Sequence, residues 1–399
     1  MESHILFQNS SCTSFVIDIP RSIEEAQGFD PTTQLRLISI KPPNSPFATP
    51  EPKSAKALSK LTDATLKDIL LQKYLELTLT ELRIIIDRGE WCLRRITEEQ
   101  LEKVTETPLS KKRHQSLRET ISDITMPDLL ENRDLIFPIS DMTLKSNSKY
   151  FICQNNKANS SFLSFRCRRF YMPPHSTTLL GSINDIRGIF TLEKLSAPQF
   201  NIIVMDPPWP NRSAKRKGEY RTGSTIEEIK ILLLSLPIHS QLADNGIIAI
   251  WITNKPDFYS LALEILEEWN VRVIEEWIWL KITTNGEPIF PLTSLWRKPY
   301  EVLLIARRLA ATSLNTENKD IRRRVLVGVT DRHSRKPNLK GLLEKIFNLK
   351  SGGYQGLEVF ARNSTSGWWS WGDEALIFQE EHCWTEIFRS CYQLKYALS

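Results

Sequence analysis

The chain has 399 residues, 41% hydrophobic and 25% charged, which suits a soluble globular protein with one sizeable catalytic domain and a smaller piece. Its net charge of +5 is too small to establish a polyanion partner, and its six cysteines (Cys12, Cys92, Cys153, Cys167, Cys383, Cys391) contain no C-x-x-C pair to found a zinc site. With no apolar run of membrane-spanning length and no signal-peptide pattern, an intracellular soluble protein with free thiols, no metal and no membrane partner is expected.

Residues 1–60 read as a largely disordered segment. KPPNSPFATPEPKSAK carries five prolines among small and polar residues, and only FVIDIP and LRLISI suggest short strands, with no core near them. Residues 61–165 read as a helical extension. Leu66, Ile69, Leu70, Tyr74 and Leu77 recur at the spacing of one helix face. Thr78 with Glu81 forms a capping box that predicts a second, short helix stopped by Gly89, and Thr97 with Gln100 repeats the box. This reads as a plain helical module, with a DNA-reading helix-turn-helix as the alternative. RCRRFYMPP then sets Arg166, Arg168 and Arg169 beside Phe170 and Tyr171.

Residues 166–380 read as the catalytic domain. The strand FNIIVMD leads to a helix expected from Thr225 to about Ala243, with Asn245-Gly246 as its stop. Strand GIIAIWIT, helix PDFYSLALEILEEW, strands VRVIEEWIWLKI and YEVLLIARR, helix NLKGLLEKIF and strand GLEVFAR follow. This alternation predicts an α/β fold with a largely parallel sheet and ligands at the carboxyl ends of its strands. Residues 381–399 read as a C-terminal tail.

The unbroken apolar run Ile202-Ile203-Val204-Met205 predicts a strand buried on both faces. It ends on Asp206, after which Pro207 and Pro208 forbid further pairing and Trp209 closes the motif. Proline has no N–H, so this strand exit presents only acceptors, a carboxylate and carbonyls. Such a site suits a group that brings two donors, and the exocyclic NH₂ of a nucleobase is one. Hydrogen bonds from its two hydrogens to Asp206 and the Pro207 carbonyl favour a pyramidal nitrogen whose lone pair is free to attack. They strengthen as charge develops on nitrogen. Trp209 is expected to supply a flat face for the base. No Gly-x-Gly-x-x-Gly loop is present, so these residues alone leave the cofactor open.

DPPW, the basic Tyr-containing loop behind it, IAIWITN, EWIWLKI, the K-P-Y-E strand, S-x-K-P and EVFARN…WGDE together resemble the MT-A family of N6-adenine methyltransferases, over residues 170–380. Within it, NRSAKRKGEY, ITTNGEPIFPL and ARN…GWWSWGDE are most similar to the methyltransferase-like protein 4 branch. That branch is associated with N6-methylation of 2′-O-methyladenosine in U2 small nuclear RNA and with adenine methylation of DNA. The resemblance implies a Rossmann-like S-adenosylmethionine-dependent methyltransferase with permuted motif order, here with a helical N-terminal extension. A nuclear location is expected, with the cytoplasm as alternative.

On this resemblance Asp206, Pro207, Pro208 and Trp209 hold the target amine, and Asp206 also lies near the cofactor's amino group. Asp185 and Ile186 match a pair bordering the cofactor adenine, and Tyr220 matches an aromatic of the loop over the cofactor. Arg307 falls where the family often has a lysine for the methionine carboxylate, and Arg362 and Asn363 match the ribose and methionine side. Asp373 and Glu374 stand where Asn and Gln or Glu are common, so an acceptor replaces an amide donor at 373. Ser334, Arg335 and Lys336 of S-x-K-P are read as nucleic-acid contacts.

Arg212, Lys215, Arg216, Lys217 and Arg221 crowd the loop after the motif against one acid, Glu219, which predicts phosphate binding. Arg322, Arg323, Arg324 and Arg332, with Arg335 and Lys336, are expected to line a second rim of the same groove. The target adenine must be unstacked to reach the acceptors, so single-stranded or flipped nucleic acid is the expected substrate, RNA ahead of DNA. Two other readings fit less well. A catalytically silent RNA-binding subunit typically loses the acid or second proline of the motif, and both Asp206 and Pro208 are present. A protein-glutamine methyltransferase usually carries Asn-Pro-Pro-Tyr behind a glycine-rich loop, and neither occurs here.

Overall fold

The computed structural model describes residues 3–29, 35–48, 64–86, 90–105, 150–165, 168–186, 197–210, 225–308 and 320–386. In chain order the strands are β1 (Ile5–Gln8), β2 (Ser14–Ile17), β3 (Leu35–Ser39), β4 (Ile96–Thr97), β5 (Tyr150–Asn155), β6 (Ser161–Phe165), β7 (Arg168–Met172) and β8 (Ser176–Gly181). They continue with β9 (Phe200–Met205), β10 (Leu242–Ile252), β11 (Val271–Ile282), β12 (Tyr300–Arg308), β13 (Arg322–Val329), β14 (Gly356–Val359), β15 (Trp368–Gly372) and β16 (Trp384–Glu386). The helices are α1 (Ile19–Ala26), α2 (Leu66–Ile85), α3 (Glu98–Thr105), α4 (Ile183–Ile186), α5 (Ile226–Leu234), α6 (Ile238–Gln241), α7 (Pro256–Glu268) and α8 (Lys340–Ile346).

Eleven strands form one sheet in the order β1-β2-β13-β11-β12-β10-β9-β14-β15-β8-β5. Only β1, β12 and β5 run against the rest. The pleat sends Ile202 and Val204 of β9 to one face and Ile203 and Met205 to the other. The second face is covered by α5 and α7 through Ile229, Leu233, Phe258, Leu261 and Ile265. The first is covered by Ile19 at the start of α1 and by Leu342 and Leu343 of α8. Met205 is level with Val359, Val359 with Trp371, and Trp371 with Leu179, so β9, β14, β15 and β8 all end at one edge. This is the Rossmann-like α/β architecture expected.

The N-terminal region departs from its reading as disordered. β2 pairs in parallel with β13, α1 has Asp18 as its N-cap, and β3 joins β4 and β16 in a small sheet, so part of the expected C-terminal tail is paired too. Of the proline-rich stretch, Pro43 and Asn44 accept hydrogen bonds from Thr284 and Asn285, and Phe47 donates to Ile289. Phe15–Ile17 of FVIDIP and Leu35–Ser39 of LRLISI are strands, while Ile19 and Pro20 open α1. Beside nearby β1 and β4 they pair with β13 and β16, about 300 or more residues away, where local periodicity cannot see them.

Three further expectations change. α2 is one continuous helix, not two. Thr78 does not cap; its hydroxyl donates back to the Tyr74 carbonyl. The buried face of α2 is Leu71, Leu75, Leu79 and Leu82, while Leu66, Ile69, Leu70 and Leu77 point to solvent. Residues 150–165 of the expected helical extension are strands β5 and β6. The helix after Thr225 stops at Leu234 ahead of Pro237, and Asn245 is not its stop but a left-handed residue (φ 58°) in a bulge of β10.

Candidate active site

Asp206 leaves β9 at the carboxyl edge of the sheet. The Trp209 N–H donates to the Pro207 carbonyl (2.7 Å), so the motif closes on itself as a tight turn. The Trp209 ring is only 5% exposed, stacks on Phe258 at 5.2 Å, and donates its Nε1–H to the Trp251 carbonyl (2.8 Å). A base cannot reach that ring. Trp209 is therefore a clamp that fixes the Asp206-Pro207-Pro208 backbone, and the sequence-based reading of it as a stacking face is corrected.

The same pleat that buries Trp277, Trp279 and Leu303 brings Lys281 and Glu301 to this edge. Lys281 lies two residues beyond Trp279 on β11, and Glu301 two residues before Leu303 on the antiparallel β12. Glu301 pairs with Lys281 and with Lys336, which arrives on the loop after β13. The Lys336 ammonium also lies 3.5 Å from Asp206 and 5.1 Å from the centroid of the Trp251 ring. Burial alone would raise the Glu301 pKa, but Lys336 and Lys281 hold it well below the usual carboxylate range. Lys336 is likewise pulled down by burial and pushed above its ordinary value by Asp206 and Glu301. Both remain charged at neutral pH.

Arg362 closes the cluster from beyond β14. Its guanidinium is 3.7 Å from Asp206 and 3.3 Å from Glu374, and donates to the Ser334 carbonyl (2.9 Å). Glu358 lines the same pocket, and burial with the nearby Asp206 charge pushes it up to about 8 against the pull of Arg362. Two pocket residues, Ser334 (φ 68°) and Phe360 (φ 59°), sit in the left-handed region that costs a side-chain-bearing residue about 1–3 kcal/mol. Asn363 also lines this pocket, and its buried Nδ2 has no hydrogen-bond partner among the described residues.

Several sequence assignments move. Lys336 is no rim contact, since it lies inside the pocket on Asp206 and Glu301. Arg335 is 2% exposed, paired with Asp331 (2.7 Å) and bonded to the Ile38 carbonyl (3.0 Å), so it is not open to phosphate. Ser334 stays at the mouth, half-buried. Arg307 is excluded from the pocket. It is level with Ile247 on β10, which is level with Ile202, roughly 13 Å down the sheet from Asp206, because β12 runs antiparallel and ends at the opposite edge. Arg323 and Arg324 pair with Glu276 and Glu275, and Arg322 donates to the Ser11 carbonyl, all at the start of β13 and likewise at the far edge. Arg332 pairs with Glu98.

The backbone of Asp185 and Ile186 lies in α4, directly beyond the end of β8, and Asp373 follows the end of β15. Both places are on the edge of the sheet where Asp206 leaves β9. Arg212, Lys215, Arg216, Lys217, Tyr220 and Arg221 lie outside the described residues. Sequence reasoning missed Lys281, Glu301 and Glu358. A charge at an inward register position of an otherwise buried strand was the available signal.

The loop bearing Lys336 is held by the N-terminal region. The Ser22 hydroxyl accepts from the Asn338 N–H (2.9 Å), Ile38 accepts from Arg335, and Asn338 donates to Thr365 (2.8 Å). The segment read as disordered therefore buttresses the pocket.

Among known proteins, the MT-A70 family model matches residues 200–374. The chain is 37% identical to the N6-methyladenosine RNA methyltransferase MTA1 of Pyricularia oryzae, over 96% of this chain and 97% of that one. It is 36% identical to the mouse N(6)-adenine-specific methyltransferase METTL4, over 60% of this chain and 50% of that one. It is 32% identical to a Caenorhabditis elegans DNA N6-methyl methyltransferase, over 54% and 56%. A match from end to end at this identity, on a pocket built around D-P-P-W, makes the chain a member of the MT-A70 family of N6-adenine methyltransferases.

Proposed function

We propose that this protein uses S-adenosylmethionine to methylate the N6 amine of adenine in single-stranded or flipped nucleic acid, RNA ahead of DNA. The observation that carries the reading is Asp206, an acceptor at the mouth of a pocket that also holds two cations and an orphan amide donor. These groups fit the cofactor. Asp206 suits an ammonium, Lys336 or Arg362 a carboxylate, and the unpartnered Asn363 Nδ2 a ribose hydroxyl.

When bound, the cofactor supplies an electrophilic methyl group on a sulfonium. The chain's own part is to hold the acceptor. Asp206 and the second lone pair of the Pro207 carbonyl take the two amine hydrogens, which turns the nitrogen lone pair out of the ring's π system. Trp209 keeps that turn rigid, so the acceptors need no reorganisation as charge builds on nitrogen. The surplus proton leaves after transfer, and no histidine base is required.

The preference for RNA rests on the end-to-end likeness to a relative named as an RNA methyltransferase, with U2-type small nuclear RNA as one candidate class and the nucleus as the compartment. The basic run 212–221 immediately follows the motif and supports polyanion binding. Incubation with labelled methyl donor and either total RNA or genomic DNA, followed by nucleoside analysis, tests the reading. Label in N6-methyladenosine is expected. Label confined to protein, or none, would overturn it.

A further inference from the structure

α2 buries Leu71, Leu75, Leu79 and Leu82, yet its opposite side is apolar as well. Leu66 is 72% exposed, Leu70 60%, Leu77 70% and Ile84 74%. Their spacing of four, seven and seven residues makes one straight stripe, the a/d seam of a coiled coil, along a helix about 30 Å long. With Ile69 and Ile85, α2 leaves six large apolar side chains exposed, whereas no other described element leaves more than two. A concentration of this kind marks an interaction surface.

We propose that the stripe pairs with the same stripe of a second copy, the two helices running antiparallel about a twofold axis. The charges along its edge select this occupant. Lys67 and Glu81 flank the stripe on the same side, fourteen residues apart, and both are exposed. The Lys67 ammonium rests 4.0 Å from the centroid of the Tyr259 ring, which keeps it on that edge. Antiparallel pairing sets Lys67 of each copy against Glu81 of the other, so one contact forms twice by symmetry. Leu66 then meets Ile84 at both ends. At the centre Lys73, bonded to Glu76 at 2.8 Å, lays its stem on Leu77 of the other copy. A polar residue inside an apolar seam fixes register. Parallel pairing would instead bring each edge against the opposite edge of the partner, setting Glu81 of one copy against Glu76 of the other, carboxylate against carboxylate. Arg83 donates to the Gly286 carbonyl (2.9 Å) just beyond the end of β11, which anchors the carboxyl end of α2 and leaves the stripe facing away from the sheet.

Light scattering and sedimentation of the full chain at tens of micromolar test this. Twice the single-chain mass of 46.1 kDa is expected, returning to the single-chain mass in Leu77→Glu with an unchanged melting temperature. Lys67→Glu is expected to weaken dimerisation about tenfold by replacing two ion pairs with repulsion, and Lys67→Glu combined with Glu81→Lys to restore it. A single-chain mass for the wild type, as when residues between 105 and 150 or another protein cover the stripe, would overturn the proposal. So would a dimer that Leu77→Glu leaves intact, or a double reversal that restores nothing.

Discussion

Lys336 stands 3.5 Å from Asp206 while also bonded to Glu301, so the carboxylate of Asp206 belongs to a relay of alternating charges, Lys281–Glu301–Lys336–Asp206–Arg362. Glu301 fixes the nearer cation against Asp206. Removing any member changes its neighbours.

Asp206→Ala removes the carboxylate proposed as the amine's principal acceptor. Methyl transfer is expected to fall about a thousandfold, the scale for losing one preorganised polar group, with the melting temperature held. Radiolabelled turnover on oligonucleotide measures it. Near-wild-type rates would remove the assignment.

Lys336→Met is expected to weaken donor binding about tenfold or more and to leave the salt dependence of nucleic-acid binding unchanged. Calorimetric titration of the donor and filter binding of RNA across a salt series separate the two effects. A flatter salt slope would reinstate Lys336 as a phosphate contact.

Folding raises the pKa of Glu358 from 4.5 to about 8, so across that window the folded protein keeps a proton that the unfolded chain has released. Stability of the ligand-free protein therefore declines from pH 4.5 to about 8 on account of this group, and levels off above. Glu358→Gln is expected to match wild type near the low end and to exceed it by roughly 2–4 kcal/mol above the window. Denaturant melts at both ends measure this, and a pH-independent difference would sink it.

Trp209→Phe keeps the stack on Phe258 and loses the bond to the Trp251 carbonyl. It is expected to cost about 1–2 kcal/mol of stability and to lower kcat, with RNA affinity unchanged. A loss of affinity alone would show that the ring contacts the base after all.

Replacing Lys215, Arg216 and Lys217 with alanine is expected to weaken nucleic-acid binding and to reduce the slope of log K against log salt by about 2, from three lost phosphate contacts on a single strand. An unchanged slope would exclude the run from the interface.

The strand alternation and the edge that bears Asp206 were legible because both rest on short-range patterns, apolar runs and the proline break after Met205. The charge relay was not. Lys281 and Glu301 look like ordinary strand-end charges until the pairing of β11 with β12 sets them side by side. Arg307 was misplaced for a related reason, since nothing local reports that β12 runs against its neighbours. Thr78 and Glu81 satisfy a capping pattern inside a helix whose packing on Val325 and Val327 overrides it. The N-terminal strands, four or five residues each, have no local signature of their distant partners β13 and β16.

The pairing of β2 with β13 joins residues 14–16 to residues 325–327, more than 300 positions along the chain. During synthesis the first strands leave the ribosome long before their template exists, and Phe15, Val16 and Ile17, wholly enclosed in the finished molecule, must wait in water or with a chaperone. The pairing of β3 with β16 spans still more of the chain, so both joints between the first strands and the last ones close only after the central sheet has been synthesised.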